Sequence, residues 1–129
     1  MKLQESPFKG KTGITRLINA FGYSLDGLKA AFRHEDAFRM LLLLAVILIP
    51  LAFVIEATAL ERALLVASSL ATLIIELLNS AVEAAVDHTS LERHPLAKRA
   101  KDMGSAAVLL SLLLSGGIWI AAIAHRLAA

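Results

Sequence analysis

The chain of 129 residues contains no cysteine and only one tryptophan and one tyrosine. The absence of cysteine excludes a disulfide framework and a thiolate metal site. Its four histidines show no ligand spacing, which argues against a zinc site. The net charge of +2 is too small, and the aromatic residues too few, for a nucleic-acid partner. The sequence also lacks a Walker-type phosphate loop and the motif set of soluble protein kinases, which excludes those families.

Apolar residues are the component that the chain has in excess. Hydrophobic residues make up 57% of the sequence, and the mean hydropathy is +0.69. A soluble domain of this length could not bury that much apolar surface in a single core. We therefore predict one membrane domain over residues 1–129. Its first segment, Met1–Lys11, is polar and predicts no cleavable secretory signal.

Three segments predict transmembrane helices, at about residues 37–56, 62–87 and 102–125. The first contains Pro50, which a bilayer tolerates because neighbouring helices can satisfy the freed carbonyl. The third contains the step Ser115-Gly116-Gly117, which would let another helix backbone approach closely. The second reaches spanning length only by including several polar residues. Because no helix breaker interrupts it, we predict one continuous helix.

Ahead of the spans, apolar residues recur at helical spacing over about residues 13–35, with charged residues between them. Such a stripe is found on helices that pack on a soluble core and on helices that lie on a membrane surface. Since little soluble core is available, we favour an amphipathic helix on the membrane surface. Gly22 and Gly27 are positions at which this helix could bend or divide.

The distribution of basic residues near the span ends predicts the orientation. The turn between the first two spans contains only Arg62, beside Glu56 and Glu61, to which we assign no chemistry. The basic residues before the first span are Lys2, Lys9, Lys11, Arg16, Lys29, Arg33 and Arg39, and those between the second and third spans are Arg93, Lys98, Arg99 and Lys101. We therefore predict a cytoplasmic N-terminus and an external C-terminus.

One face of the second span contains three carboxylates and an amide, at Glu76, Asn79, Glu83 and Asp87. Ionisable residues inside a spanning helix cost roughly 2.5–3.5 kcal/mol each. One interpretation is that these residues pair with basic side chains to hold helices together; the candidates are Lys98, Arg99 and Lys101. The other is that they hold a hard cation such as Mg²⁺, which leaves positions for phosphate. We favour the cation, because three carboxylates exceed what a structural pair requires.

Two more positions have simple structural interpretations. Asp102 is expected to be the N-cap of the third span, with Lys101 as a residue whose charge reaches the interface. Glu35, beside Asp36, is expected from its position alone to be solvated.

Two motifs together resemble the signature of prokaryotic integral membrane diacylglycerol kinases. They are Glu76–Asp87, with the sequence ELLNSAVEAAVD, and Arg99–Ala107, with the sequence RAKDMGSAA. The run that contains Gly13-Ile-Thr-Arg16, Gly22-Tyr-Ser24 and Glu35 to Arg39 is similar to the surface helix of the same family. The resemblance extends over residues 13–124.

The resemblance implies an all-α membrane protein that assembles as a helical-bundle homotrimer, with sites at subunit boundaries. It implies ATP-dependent phosphorylation of diacylglycerol to phosphatidic acid at the cytoplasmic interface of the bacterial inner membrane, with Mg²⁺ as cofactor. ATP and Mg²⁺ would come from the cytoplasm, and the lipid would arrive laterally from the membrane.

The family's residue roles fall on matching positions of this chain. Glu76 matches the general base, and Glu35 and Glu83 match the metal ligands. The positions implicated in ATP binding or its support are Arg16, Tyr23, Ser24, Glu35, Asn79, Glu83, Asp87, His94, Lys101 and Asp102. The positions that match the lipid substrate site are Arg16, Glu76 and Ser105. Leu41 stands where some members have a carboxylate, so that group has no counterpart here.

Three alternative functions follow from the same features. An undecaprenol kinase would use a similar fold on another lipid. A small proton-coupled transporter would use the membrane glutamate to exchange protons, but such proteins usually have four spans. A purely structural assembly subunit would leave the carboxylates between Glu76 and Asp87 unexplained.

Overall fold

A computed structural model describes residues 12–129, which form four α-helices and contain no strand. The helices are α1 (Gly13–His34), α2 (Asp36–Val54), α3 (Ala59–Thr89) and α4 (Pro95–Ala128). Helices α2, α3 and α4 are each long and apolar enough to cross a membrane. The predicted fold class, three spans after an amphipathic helix, is confirmed. Lys2, Lys9 and Lys11, which contribute to the predicted orientation, lie outside the described residues.

Helix α1 forms a unit of its own. It begins at Gly13, whose φ of 72° lies in the left-handed region that glycine adopts without strain. Gly22 and Gly27 do not divide it, because α1 runs without interruption to His34. Four apolar side chains of its stripe are 65–77% exposed; they are Ile14, Leu17, Ile18 and Phe21. An apolar stripe of this size is typical of a helix that is covered by lipid or by another protein surface.

Helices α2, α3 and α4 form the second unit, in which α3 packs against both of the others. The apolar window of α3 is 33% buried, against 17% for α2 and 22% for α4. The buried side chains of α3 share one face, and all but two carry a hydroxyl; they are Leu65, Ser68, Ser69, Thr72, Glu76 and Ser80. Small residues of this kind allow close helix packing in membranes. Helix α3 is therefore the central helix of this unit.

The buried hydroxyls of α3 donate hydrogen bonds within their own helix. Ser69 Oγ donates to the carbonyl of Leu65 at 2.7 Å and accepts from Trp119 Nε1 at 3.0 Å, which joins α3 to α4. Trp119 and Leu65 belong to a buried apolar cluster with Ala52 and Ala122. A cavity of about 150 Å³ lies beside Trp119; its lining includes Leu41, Thr72 and Ser115. The core thus combines apolar packing with one interhelical hydrogen bond.

A capping box begins α3. Thr58 Oγ1 accepts from the backbone N–H of Glu61 at 3.1 Å, and Glu61 Oε2 accepts from the backbone N–H of Thr58 at 2.9 Å. These reciprocal bonds satisfy two donors that a helix N-terminus would otherwise leave unpaired. The turn between α2 and α3 is therefore tightly defined.

Two arginines bind the carbonyls of the same turn, and we call them, with residues 55–58, the arginine cluster. Arg62 Nε donates to the carbonyl of Ala52 at 3.0 Å, which satisfies an acceptor at the end of α2. Arg126, near the end of α4, donates to the carbonyl of Glu56, to the carbonyl of Ala122 and to Glu61 Oε2. The arginine cluster thereby joins all three helices of the unit.

Helix α4 begins seven residues before the expected position, so the prediction of Asp102 as its N-cap is wrong. His94 is the N-cap, and its Nδ1 accepts from the backbone N–H of Leu96 at 3.1 Å. Pro95 occupies the first helical position, where its fixed φ favours the helix and its missing N–H costs nothing. Helices α3 and α4 both extend at each end beyond the predicted spans of 62–87 and 102–125.

Candidate active site

The carboxylates of α3 lie on the continuation of its buried face, and their solvent exposure increases along the helix. Glu76 is only 4% exposed, Glu83 is half-buried, and Asp87 is exposed. Because these positions are seven and four residues apart, they lie one above the other along the helix. The face therefore presents carboxylates at several depths, from the interior of the unit to its surface.

Glu76 lies among polar neighbours. Its Oε1 accepts from Ser80 Oγ at 3.4 Å, and the amide of Asn79 lies close enough to act on the same carboxylate. The carboxylates of Glu83 and Glu35 are near enough to interact with Glu76 electrostatically. We call Glu35, Glu76 and Glu83 the carboxylate cluster. It concentrates negative charge around one buried group.

Glu35 joins the cluster from the N-terminal end of α2. It is the N-cap of that helix, with extended backbone dihedrals of −118° and 106°, but its side chain makes no capping hydrogen bond. The helix N-terminus favours a negative charge at this position. The carboxylate is thus not used for capping. Position alone predicts a solvated residue, whereas Glu35 is half-buried in the structure.

The alternative interpretation of the α3 carboxylates, pairing with basic residues, applies at Asp87. Its Oδ1 lies 2.5 Å from Lys101 Nζ, a pair that joins α3 to α4 with both side chains partly exposed. Lys101 also interacts with the charge of Glu83. Exposed pairs of this kind contribute little to stability, so its main effect is to hold Lys101 beside the acidic face.

The connection between α3 and α4 encloses an open cavity of about 840 Å³. Its lining includes four of the residues predicted to bind ATP, namely Asp87, His94, Lys101 and Asp102. Asp102 is paired with Lys98 at 2.5 Å, on the exposed side of α4. A cavity of this volume is of the size that small-molecule sites require. The structure thus brings these four residues together at the exposed end of the carboxylate face.

The remaining predicted residues are exposed side chains on α1 and α4. Arg16, Tyr23 and Ser24 are exposed on α1, where Ser24 Oγ donates to the carbonyl of Ala20 at 2.9 Å. Ser105 is exposed on α4. Their contributions to the site remain predictions.

Sequence reasoning missed two residues of the site. Ser80 donates to Glu76, and its position four residues after Glu76 is a signal that could have identified it. Gly104 on α4 packs directly against Asn79 on α3. That contact joins two helices, and no spacing along the chain predicts it. Leu41 lines the cavity beside Trp119.

The carboxylates of the site are of the oxygen-donor kind that Mg²⁺ uses in proteins. Within residues 12–129 there is no group of three or more His, Asp or Glu side chains that could hold a metal ion on its own. Mg²⁺ usually binds one or two protein carboxylates and completes its shell with waters and substrate phosphates. Glu35 and Glu83, both half-buried beside Glu76, provide two such carboxylates.

The fold and the site define a multi-pass membrane protein with a carboxylate-bearing central helix whose exposed end lines a cavity of about 840 Å³. The sequence model of the prokaryotic diacylglycerol kinase family matches residues 22–123. A diacylglycerol kinase of Pseudomonas aeruginosa is 58% identical over 117 residues, which cover 91% of this chain and 95% of that protein. Those of Haemophilus influenzae and Escherichia coli are 52% and 44% identical, each over 84% of this chain and over 92% and 88% of their own lengths. The chain belongs to the prokaryotic diacylglycerol kinase family, which confirms the predicted resemblance and the class of enzyme, a lipid kinase.

Proposed function

We propose that this protein transfers the γ-phosphoryl group of ATP to diacylglycerol and forms phosphatidic acid at the cytoplasmic surface of the bacterial inner membrane. The observation that supports this most is the acidic face of α3. It runs from the buried Glu76 to the large open cavity beside Asp87 and Lys101. The relatives named above support diacylglycerol as the substrate.

Glu76 is the proposed general base. The hydroxyl oxygen of the lipid attacks the γ-phosphorus and its proton passes to the Glu76 carboxylate, while the bond to the β-phosphate oxygen breaks and ADP leaves. Phosphoryl transfer depends mainly on positioning and charge stabilisation, and it demands little covalent chemistry from the protein. Asn79 and Ser80 orient the carboxylate, since both side chains act on it directly.

The nucleotide occupies the open cavity in this proposal. Lys101, held beside the acidic face by Asp87, provides positive charge for phosphate, and His94 and Asp102 lie in the same lining. Glu35 and Glu83 hold Mg²⁺, which when bound would supply positive charge that stabilises the transferring group. Arg16, Tyr23 and Ser24 of α1 support the nucleotide, Arg16 also contacts the lipid, and Ser105 lies on the lipid side.

The active assembly is proposed to be a homotrimer with its N-terminus in the cytoplasm. Many large apolar side chains of α2 and α4 are exposed in the single chain, for example Leu43, Val46, Leu110 and Leu113, and lipid or partner subunits must cover them.

The orientation is tested with a reporter that is active only in the cytoplasm, fused after Ala129. The fusion should be silent, and strong activity would contradict the proposed orientation.

Lipid-dependent ATP consumption tests the proposed reaction. Purified protein in micelles should consume ATP with diacylglycerol and much more slowly with undecaprenol. Faster turnover with undecaprenol would assign the protein to that lipid instead. A response to a proton gradient, without any ATP consumption on either lipid, would identify the transporter alternative.

A further inference from the structure

The Asn79 side chain has an unusual environment. Its Oδ1 is buried and accepts no hydrogen bond from the described residues, although Asn79 as a whole is only half-buried. Leaving a buried acceptor without a donor costs free energy, so natural proteins rarely retain one without a reason. The reason lies in what the two ends of the amide contact.

The amide has a donor end and an acceptor end that face different partners. A carboxylate accepts hydrogen bonds, so the N–H end of Asn79 is the one suited to Glu76, on which the amide acts. This orientation turns the carbonyl oxygen away from Glu76 and towards α4. The residue of α4 at that point is Gly104, which offers the oxygen no donor.

Gly104 provides the space that this orientation requires. A Cβ atom added at Gly104 would overlap Oδ1 of Asn79, and it would also meet Asn79 Cγ at 3.3 Å. Real Cβ atoms do not approach other atoms so closely, so the amide would have to move. Glycine is otherwise unfavourable inside a helix, and a close approach of another element is one of the conditions that justify it.

We propose that Gly104 is a positioning residue for the phosphoryl transfer, because its missing side chain leaves the space in which the Asn79 amide can keep its N–H end at Glu76. The inference rests on the proposed function, in which Glu76 is the base. Gly104 touches neither substrate, and it acts only through Asn79. Helix α4 also offers a matched control, since a Cβ at Gly117 would meet no atom of residues 12–129 within 4 Å.

The kinetic test compares Gly104→Ala with Gly117→Ala, two changes that raise helix propensity equally. Gly104→Ala should lower kcat by about tenfold or more, with KM for ATP little changed, because the misplaced group acts on the base. Gly117→Ala should keep wild-type turnover. In an Asn79→Ala background, Gly104→Ala should have no further effect, since the residue through which it acts is absent.

A second measurement follows the amide itself and does not depend on turnover. The chain has only three side-chain amides, at Gln4, Asn19 and Asn79, so their ¹⁵N–¹H signals are readily assigned, with Asn79→Ala identifying that of Asn79. In the wild type, Asn79 Hα should show a nuclear Overhauser contact to Gly104 Hα, because a Cβ at Gly104 would lie only 3.8 Å from Asn79 Cα. The Asn79 signals should shift in Gly104→Ala and stay in place in Gly117→Ala.

The outcomes separate this inference from the proposed function. Unchanged kcat in Gly104→Ala, an equal loss in the Asn79→Ala background, or a missing Gly104–Asn79 contact in the wild type would each overturn the inference. A wild type that consumes no ATP with any lipid would instead overturn the proposed function. If Gly104→Ala does not fold, the contact in the wild type still decides the inference.

Discussion

At the start of α3, Arg62 donates to the carbonyls of Ala52 and Ala57, and Arg126 donates to the carbonyl of Glu56 and to Glu61 Oε2. About 20–30 Å along the same helix, the carboxylate cluster has a different character. None of its three carboxylates forms an ion pair within the part of the chain that the structure describes. The arginine cluster pairs its charges, whereas the three carboxylates of the carboxylate cluster carry charge of one sign, with the nearby ion pair of Asp87 and Lys101 outside the cluster.

This difference indicates that the arginine cluster contributes mainly to stability and the carboxylate cluster mainly to activity. Polar groups that form hydrogen bonds with each other near a membrane hold helices together. Grouped carboxylates instead lower the stability of the folded protein, because no partner offsets the cost of burying their charge. Sites that need such groups are retained for function, at some cost in stability. Substitutions at the arginine cluster should therefore lower stability with little effect on turnover, and substitutions in the carboxylate cluster should do the reverse.

The strongest test of this contrast is Glu76→Gln. We expect kcat to fall by about 10²- to 10⁴-fold, the usual contribution of a general base. ATP affinity should change little, because Glu76 is buried and does not line the open cavity. Stability should stay equal or rise, since an uncharged amide costs less to bury.

Nucleotide binding and turnover of Glu76→Gln are measured on the same folded protein, with Glu56→Gln in the exposed turn as control. Loss of ATP binding in step with turnover would make Glu76 a nucleotide or metal ligand.

The next largest effect is expected for Glu83→Gln. The change removes one charge from the half-buried part of the cluster and keeps the shape of the side chain. Turnover should fall by about 100-fold, because charge stabilisation by a bound metal ion is worth several kcal/mol. A titration of turnover with Mg²⁺ should require higher concentrations than the wild type, and Glu56→Gln again serves as control. Near-normal turnover in a folded Glu83→Gln protein would contradict a metal role.

At the other end of the unit, Arg126→Ala should act on stability. The variant leaves the carbonyl of Glu56 without its donor and removes the contact with Glu61, so we expect a loss of about 1–2 kcal/mol. Unfolding by heat or SDS measures the loss, and kcat per folded molecule should remain close to that of the wild type. His125→Ala, at the exposed neighbouring position, is the control. A large fall in kcat with unchanged stability would break the contrast between the two ends.

The smallest effect is expected between the two ends, at Trp119→Phe. It removes the bond from Trp119 Nε1 to Ser69 Oγ, while Ser69 keeps its own bond to the carbonyl of Leu65. The expected loss is about 0.5–1.5 kcal/mol, the net value of one hydrogen bond. The same substitution in a Ser69→Ala background should cost less, and an equal cost would assign the effect to packing alone.

The helices and the family could be predicted from the sequence because their signals are local. Apolar length predicts the spans, and the spacing from Glu76 to Asp87 places four polar side chains on one helix face. The continuity of α3 through these residues is confirmed, since the helix runs to Thr89. Helix ends depend on finer chemistry, and the His94 cap with Pro95 outweighs the capping tendency of Asp102.

Contacts between helices could not be predicted in the same way. The Gly104–Asn79 contact depends on how closely α3 and α4 approach at one level, which neither helix determines alone. The cavity at the α3–α4 connection has the same origin, because it needs both helix ends and the loop. Neither the exposed carboxylates nor the basic residues by themselves indicate which of them form pairs.

The bond from Arg126 to the carbonyl of Glu56 joins residues 70 positions apart, and it has a consequence for biogenesis. A nascent chain forms the α2–α3 hairpin before α4 is synthesised, with Arg62 already able to reach its carbonyls. The Glu56 carbonyl gains its partner only once α4 has been inserted. Closing so long a loop is entropically demanding and comes late in folding. The hairpin can therefore form early, but the turn is completed only on arrival of the third span.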